Sequence, residues 1–173
     1  MRHDPLLDQL SFGGGRESRV GVIDIGSNSI RLVIYDGMKR VPLPVYNEKA
    51  FCSLGKGMSR KNRLNAQGVK MARNAMAHLL AAAKLNKVAE LHVIATAAIR
   101  DADDGKAFVK ELERTHKIKI DVISGKREAK YAAMGIASSH HDPKGIVADL
   151  GGGSLELTVL KEQNVLYHDS QPL

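Results

Sequence analysis

The amino-acid sequence predicts an α/β fold, in which a mixed β-sheet is flanked by helices and is followed by the start of a second, similar unit. Two apolar, β-branched segments, residues 19–25 and 30–36, are joined by a Gly-Ser-Asn-Ser turn and indicate a β-hairpin. Helical and strand-like patterns then alternate up to residue 138, as in sheets that contain parallel strands. The hairpin pattern recurs from residue 147, which predicts the second unit.

A third strand, residues 45–52, follows the first hairpin and leads into a basic loop. The loop contains two glycines, Gly55 and Gly57, and its cations are Lys56, Arg60, Lys61 and Arg63. Such a loop suits two roles, because its charges can steer a polyanion toward a site or can simply keep the loop solvated. The sequence favours neither role over the other.

The alternating region begins with the clearest helix of the chain, for which Asn65 is a suitable N-cap. Apolar residues recur from Val69 to Ala83 at the three- and four-residue spacing of one helix face. The pattern then predicts a strand at 91–95, a helix at 106–116, a strand at 118–123 and a helix at 126–138. Three consecutive strands followed by this alternation imply a mixed sheet.

Composition narrows the class of protein. The 173 residues have a formal charge of +7, and 43% of them are hydrophobic, with no long apolar run. The single cysteine, Cys52, cannot form an internal disulfide, and no secretory signal is recognisable, so we expect a cytoplasmic protein. Positive charge favours anionic partners. With no Trp, four Tyr and three Phe the chain lacks platforms for stacking bases, so we expect neither a nucleic-acid nor a membrane partner.

An internal repeat determines the expected domain organisation. At a constant offset, Val22, Asp24, Ile25, Gly26, Ser29, Ile30, Leu32 and Ile34 recur as Val147, Asp149, Leu150, Gly151, Ser154, Leu155, Leu157 and Val159. We interpret residues 1–18 as a mobile arm, 19–143 as a first domain and 144–173 as the opening strands of a truncated second domain. Because three strands without a helix have little core of their own, we expect a fragment of a longer enzyme.

Both turns have the composition of a phosphate-binding loop. Glycine allows close approach to a ligand, and a tight turn directs N–H groups at phosphate oxygens. Asp24 and Asp149 end the preceding strands, where a carboxylate can hold a hydrated Mg²⁺. Either loop alone is better explained as an ordinary hairpin turn, but two alike favour a clamp. The expected phosphate contacts are Gly26, Ser27, Asn28, Ser29, Gly151, Gly152, Gly153 and Ser154.

These segments resemble a known family. Residues 22–34, VIDIGSNSIRLVI, are similar to the first phosphate motif of the exopolyphosphatase and guanosine pentaphosphate phosphatase (Ppx/GppA) family, within the actin, Hsp70 and sugar kinase superfamily. Residues 149–156, DLGGGSLE, resemble its second phosphate motif, and residues 95–102 and 123–129 resemble two further motifs. The basic residue that often precedes the family's Leu-Gly pair is replaced in residues 51–55, FCSLG.

The resemblance implies a ribonuclease H-like, actin-like ATPase domain. It also implies a Mg²⁺-dependent hydrolase acting on acid anhydrides, which releases orthophosphate from inorganic polyphosphate or guanosine pentaphosphate. Its catalytic residues would be Glu128 as general base, Arg100 on a substrate phosphate and Glu156 as a second carboxylate that positions water or metal.

Other interpretations stay open from the sequence. Glu128 can complement the dipole of its helix, and Glu156 can be a solvated strand residue. Arg100 can pair with Asp101, Asp103 or Asp104. The alternatives for function are an ATP-dependent kinase of the same superfamily and a non-catalytic module that senses phosphate compounds. The unfinished second unit also makes a homodimer through strand pairing plausible.

Overall fold

The computed structural model describes residues 18–39, 41–140, 142–161 and 164–172, in which the chain forms two β-sheets and five helices. The predicted mobile arm lies outside the described residues except for Ser18. In chain order the elements are β1 (Val20–Ile25), β2 (Ser29–Tyr35), β3 (Pro44–Phe51), α1 (Met58–Lys61), α2 (Ala66–Leu85), β4 (Glu90–Ala95), α3 (Ala97–Asp101), α4 (Gly105–His116), β5 (Asp121–Val122), α5 (Gly125–Ser139), β6 (Lys144–Leu150), β7 (Ser154–Lys161) and β8 (Asn164–Pro172).

The first sheet has the order β3-β2-β1-β4-β5 and is mixed, as the sequence predicts. Its first three strands are antiparallel neighbours, whereas β4 and β5 run parallel to β1. Ile23, Leu32 and Ile34 alternate along β1 and β2, are fully buried, and share a core with Met76 and Leu79 of α2. Burial of each such side chain contributes about 1.5–3 kcal/mol, which fixes the sheet face that α2 covers.

Helix α2 begins where the sequence predicts. The Oδ1 atom of Asn65 accepts a hydrogen bond from the Gly68 N–H at 2.8 Å, and Asn65 itself has extended backbone geometry, as an N-cap residue should. The helix then continues for 20 residues to Leu85. The two shortest helices, α1 and α3, are not predicted from the sequence, because four or five residues do not establish a helical period.

Strand β5 is shorter than the predicted strand at 118–123 and pairs with β4 only through Asp121 and Val122. The apolar pattern of the segment is real, since Ile120 is buried in the core. However, the Ile120 N–H donates to the side chain of Glu113 at 2.9 Å rather than to a strand. A side-chain acceptor therefore replaces the β-ladder at this point.

The internal repeat is a repeat of structure as well as of sequence. In the first hairpin the Gly26 N–H donates to the Ser29 carbonyl at 3.0 Å, and in the second the Gly151 N–H donates to the Ser154 carbonyl at 2.9 Å. The register also shifts at equivalent places, after Ile34 between β2 and β3 and after Val159 between β7 and β8. The two hairpins therefore share the same turn hydrogen bond, the same strand register and a register shift at the equivalent residue.

The second sheet, β6-β7-β8, packs against α5. The Thr158 hydroxyl of β7 donates to the Ala129 carbonyl of α5 at 3.3 Å, and both residues are buried. Strand β6 is covered far less, because Ile146 and Leu150 are 73% and 72% exposed. None of the helices described is long and apolar enough to cross a membrane.

Candidate active site

The two glycine-serine loops lie directly against each other. A Cβ atom added at Gly153 would lie 2.6 Å from the Ser27 hydroxyl oxygen, and one added at Gly152 would lie 2.9 Å from the Asn28 amide nitrogen. Real Cβ atoms essentially never approach other atoms this closely. Glycine at these positions allows the loops to touch, and the structure thus brings the two predicted phosphate loops to one place.

The first loop is held in position by the segment that follows β3. The Gly55 N–H donates to the Ser27 carbonyl at 2.9 Å, while the N–H groups of Cys52 and Ser53 both donate to the Asn28 carbonyl at 2.9 Å. The carbonyls of the turn are therefore occupied. In the described part of the chain, nothing accepts a hydrogen bond from the Ser27 or Asn28 N–H. Backbone donors of this kind suit phosphate oxygens.

The same segment places Cys52 in the core. Its side chain is 2% exposed, and burial raises the pKa of its thiol, so the buried group is a poor nucleophile. The basic residue that often precedes the family's Leu-Gly pair would lie in this segment, residues 51–55.

In the second loop, Ser154 is buried, whereas Gly151 and Gly152 are exposed at the surface. The Gly151 N–H closes the turn on Ser154. Among residues the structure describes, none accepts from the Gly152 or Gly153 N–H. Each loop therefore presents two adjacent backbone donors near the place where the loops touch.

Asp24 and Asp149 interact electrostatically next to these loops. Burial raises the pKa of Asp24, the negative charge of Asp149 raises it further, and Arg31 opposes both effects. The Oδ1 atom of Asp24 is buried and has no hydrogen-bond partner within the described ranges. A desolvated, unpartnered carboxylate oxygen beside a second carboxylate is typical of a cation site.

The donor set fits a magnesium ion better than a transition metal. No group of three or more His, Cys, Asp or Glu side chains in the described ranges is placed to hold a metal. Two aspartates suffice for Mg²⁺, which prefers oxygen ligands and keeps several waters or takes phosphate oxygens. Asp24 and Asp149 would therefore hold the ion together with the substrate.

Arg100 and Glu128 form an ion pair at the same edge of the first sheet. The Nη1 atom of Arg100 lies 3.0 Å from Oε2 of Glu128 and 3.4 Å from the Ile123 carbonyl, while its Nε atom donates to Asp101 at 3.0 Å. Thr96, which precedes the helix of Arg100, donates its N–H to the Ile25 carbonyl at 3.2 Å. This bond fixes Arg100 beside the end of β1, where the first loop starts.

Glu128 lies in the first turn of α5, which Ser124 caps by accepting from the Arg127 N–H at 3.3 Å. Burial raises the pKa of Glu128, the hydrogen bond from Arg100 lowers it, and the charges of Glu156 and Asp24 raise it again. The net effect is upward. A carboxylate with a raised pKa is a stronger base, so Glu128 has the electrostatics of a general base.

Glu156 is not a solvated strand residue, because it is only 2% exposed on β7. It pairs in register with Asp149, as Arg31 pairs with Asp24 in the first hairpin. The alternating pattern of β7 suggests that Glu156 is exposed, because a sequence pattern does not reveal that α5 packs over this strand. The structure therefore adds a buried acidic group to the site.

Arg31 is exposed, and its Nε atom donates to the Asn47 side chain at 2.8 Å. Asn47 lies on β3, and no signal in the sequence connects it with the site. Its partner Arg31 still acts on Asp24 through charge. Arg31 thus supplies a positive field at the first loop at the position where the second hairpin has a carboxylate.

Comparison with known proteins identifies the family of this chain. The family model for the Ppx/GppA phosphatase family matches residues 33–173. Exopolyphosphatase 1 of Mycobacterium tuberculosis is 24% identical over 143 residues, which cover 81% of this chain and 42% of that protein.

Two crystal structures are similar to this chain as well. The Ppx/GppA family member of Aquifex aeolicus has a TM-score of 0.76 at 30% identity, over 90% of this chain and 51% of that chain. An exopolyphosphatase from Cytophaga hutchinsonii has a TM-score of 0.79 at 26% identity, over 88% of this chain and 50% of that chain. The chain thus spans about half the length of the proteins it matches.

These matches confirm the predicted fold class, an α/β domain with a mixed β-sheet flanked by helices. They also confirm the resemblance drawn from the phosphate motifs. The chain belongs to the Ppx/GppA phosphatase family.

Proposed function

We propose that this chain provides the phosphate-binding loops and the general base of a hydrolase that removes the terminal phosphate of inorganic polyphosphate or guanosine pentaphosphate as orthophosphate. The observation that supports this most directly is the contact between Gly153 and Ser27, which joins two phosphate loops beside a basic carboxylate. Hydrolysis of a phosphoanhydride requires an activated water and neutralisation of charge on the transferred group.

The loops would bind the terminal phosphate. The N–H groups of Ser27, Asn28, Gly152 and Gly153 supply donors from both sides of the place where the loops touch. Arg100 would add a side-chain donor, because its Nη2 atom makes only a 3.5 Å contact with Asp101 and can donate to a phosphate oxygen. The substrate would therefore be oriented mainly by fixed backbone groups.

Glu128 would accept the proton of the attacking water. In the ion pair, Arg100 holds the carboxylate ionised and in one orientation. When a phosphate shares the Arg100 guanidinium, this stabilising influence on the Glu128 carboxylate weakens and its basicity rises. Proton transfer to Glu128 is thus coupled to occupation of the site.

The metal ligands would be Asp24 and Asp149. When bound, Mg²⁺ would neutralise phosphate charge. In its absence, burial raises the pKa of Asp24, and the negative charge of Asp149 raises it further. Glu156 would act from its buried position on the charge of Glu128.

We also infer that the 173 residues alone turn over substrate weakly or not at all, and that a homodimer can form through β6. Within the described ranges this strand pairs only with β7, and its apolar residues Ile146 and Leu150 are largely exposed. An unpaired strand edge accepts a further strand, from another copy or from additional chain. Sedimentation velocity over a range of concentrations distinguishes a monomer from such a dimer.

The decisive experiment measures orthophosphate release from polyphosphate and from guanosine pentaphosphate, with Mg²⁺, by this chain and by a version extended to the length of its relatives. We expect Glu128→Gln in the extended protein to lower turnover at least about 100-fold while substrate affinity is kept. Glu90→Gln, on the exposed end of β4, is the matched control and should leave turnover unchanged. Near-normal rates for Glu128→Gln would remove Glu128 as the base, and robust release by the 173 residues would refute weak turnover.

A further inference from the structure

A cavity of about 930 Å³ lies between the segment after β3 and the start of α2. Its lining contains five cationic side chains and a single carboxylate, that of Asp104. The cations are Lys56, Arg60, Lys61, Arg63 and Arg73. The cavity is therefore strongly positive, and it is large enough for several phosphate groups.

Two of these cations are held in ion pairs. Arg63 contacts Asp104 at 3.3 Å, and Arg73 makes a two-bond pair with Glu111 at 2.6 and 2.9 Å. Lys56, Arg60 and Lys61 have no ion-pair partner among the residues described. The excess charge of the cavity thus lies in these three side chains.

The start of α2 adds to the positive potential. This 20-residue helix has no acidic residue in its first turn, and Asn65 uses its side chain to cap Gly68. Ala66 and Gln67, which line the cavity, are the first two helical residues and have no intrahelical acceptor for their N–H groups. The positive end of the helix dipole therefore lies at the same wall as the free cations.

The cavity is connected to the proposed active site by short, hydrogen-bonded segments. Lys56 follows Gly55, whose N–H donates to Ser27 of the first loop. On the other side, Asn62 exchanges two hydrogen bonds of 2.8 and 2.9 Å with Asp103, two residues beyond the Asp101 partner of Arg100. On both sides, the cavity is therefore adjacent in sequence to residues of the proposed phosphate site.

The lining also restricts the kind of polyanion. Among the described residues, none that lines the cavity is aromatic, so these residues offer nucleobases no stacking surface. The terminal phosphate of a short substrate is satisfied at the loops alone. A long chain of phosphates has further charges to place, and the cavity begins at Lys56, next to the Gly55 whose N–H donates to the first loop.

We propose that this cavity binds interior phosphates of a polyphosphate chain through Lys56, Arg60 and Lys61, and so makes the protein selective for long chains. This inference rests on the proposed function, because it takes the two loops as the site of the terminal phosphate. It extends that function by naming the residues that distinguish long polyphosphate from short phosphoanhydrides.

The test compares binding of long-chain polyphosphate and of tripolyphosphate to the 173-residue chain at about 0.1 M salt, where charges beyond about 10 Å are screened. The variant is the double change Arg60→Gln with Lys61→Gln. The control is Lys84→Gln with Lys110→Gln, which removes the same charge from exposed helix positions outside the cavity. Tripolyphosphate binding by the unaltered chain reports on the loops independently of the cavity.

We expect the cavity variant to lose about tenfold or more in affinity for the long chain and less than about twofold for tripolyphosphate, while the control changes neither. Equal losses for both ligands, or none, would overturn the cavity while leaving the loops intact. A single-stranded oligonucleotide that binds as tightly as polyphosphate and depends equally on Arg60 and Lys61 would overturn it as well. Absence of tripolyphosphate binding in the unaltered chain would refute the proposed function instead.

Discussion

Gly153 and Ser27 are in contact across two loops that are separated by more than a hundred residues of sequence, and a Cβ atom at Gly153 would lie 2.6 Å from the Ser27 hydroxyl. We expect Gly153→Ala to displace the Ser27 side chain and to shift the loop, because the added Cβ atom would also lie 3.3 Å from the Ala97 Cβ atom. Overpacking of this kind costs about 1–3 kcal/mol, and the displaced backbone donors should weaken tripolyphosphate binding at least about tenfold. Thermal unfolding and calorimetric titration measure the two effects.

Gly135 provides the matched control for this substitution. It lies in α5, and nothing lies within 4 Å of the Cβ atom that Gly135→Ala would add. Because alanine is favoured in a helix, we expect this change to stabilise by about 0.5–1 kcal/mol and to leave binding unaltered. If both alanine variants behave alike, the contact between the loops has no special role.

The ionisation of Glu128 should occur above the ordinary glutamate value of 4.5. Burial is the main cause, and the folded state therefore becomes less stable as pH rises through this pKa and Glu128 acquires charge. NMR titration of the labelled side-chain carboxyl measures the value directly. Removal of the hydrogen bond in Arg100→Gln should raise the pKa further, because Arg100 opposes the shift.

Arg127→Gln is the comparison for the Arg100 variant. Arg127 is the neighbour of Glu128 in sequence, but its guanidinium pairs with Asp121 at 2.6 Å. We expect the pKa of Glu128 to stay unchanged in this variant. A larger shift with Arg127→Gln than with Arg100→Gln would contradict the assigned ion pair.

Asp24→Asn should stabilise the protein while it removes metal-dependent binding. Because the pKa of Asp24 is raised in the folded state, its ionised form disfavours folding at neutral pH, and a neutral side chain relieves this. We expect a higher Tm without Mg²⁺ and loss of the Mg²⁺-induced rise in Tm. Asp149→Asn alters an exposed residue and should change the metal-free Tm less. A lower metal-free Tm for Asp24→Asn would contradict the destabilising effect assigned to the buried Asp24 charge.

Asn65 and Asn74 test the helix cap with the same chemical change. Asn65→Ala removes the acceptor for the Gly68 N–H and should cost about 1 kcal/mol in the free energy of unfolding. Asn74 is exposed in the interior of α2, where Asn74→Ala should stabilise by a few tenths of a kcal/mol, up to about 0.7. Urea denaturation measures the change in the free energy of unfolding for each variant, and we expect opposite signs. Equal changes for both variants would mean that the Asn65 cap does not stabilise the helix.

The sequence predicts most elements of the fold, since their signals are local. Alternation defines β1 and β2, and the cap and apolar spacing define α2. The offset between the hairpins also indicates that Asp24 and Asp149 occupy equivalent positions, and the registers show that they do.

What the sequence does not show depends on contacts between distant segments. The bonds from Cys52 and Ser53 to Asn28 have no periodic signature, and neither has the burial of Glu156 beneath α5. The short length of β5 depends on Glu113, whose side chain accepts a hydrogen bond from the N–H of Ile120, seven residues away. Each of these features arises when elements meet, so only coordinates reveal it.

Because the two hairpins have the same register, the charged residues paired with Asp24 and Asp149 occupy equivalent positions. A pair of identical hairpins related by a twofold axis would surround a phosphate symmetrically, and nothing would distinguish its two faces. Here one pairing is Asp24 with Arg31 and the other is Asp149 with Glu156. Under the proposed function, this difference in sign would give an incoming nucleophile and a departing anion unlike surroundings.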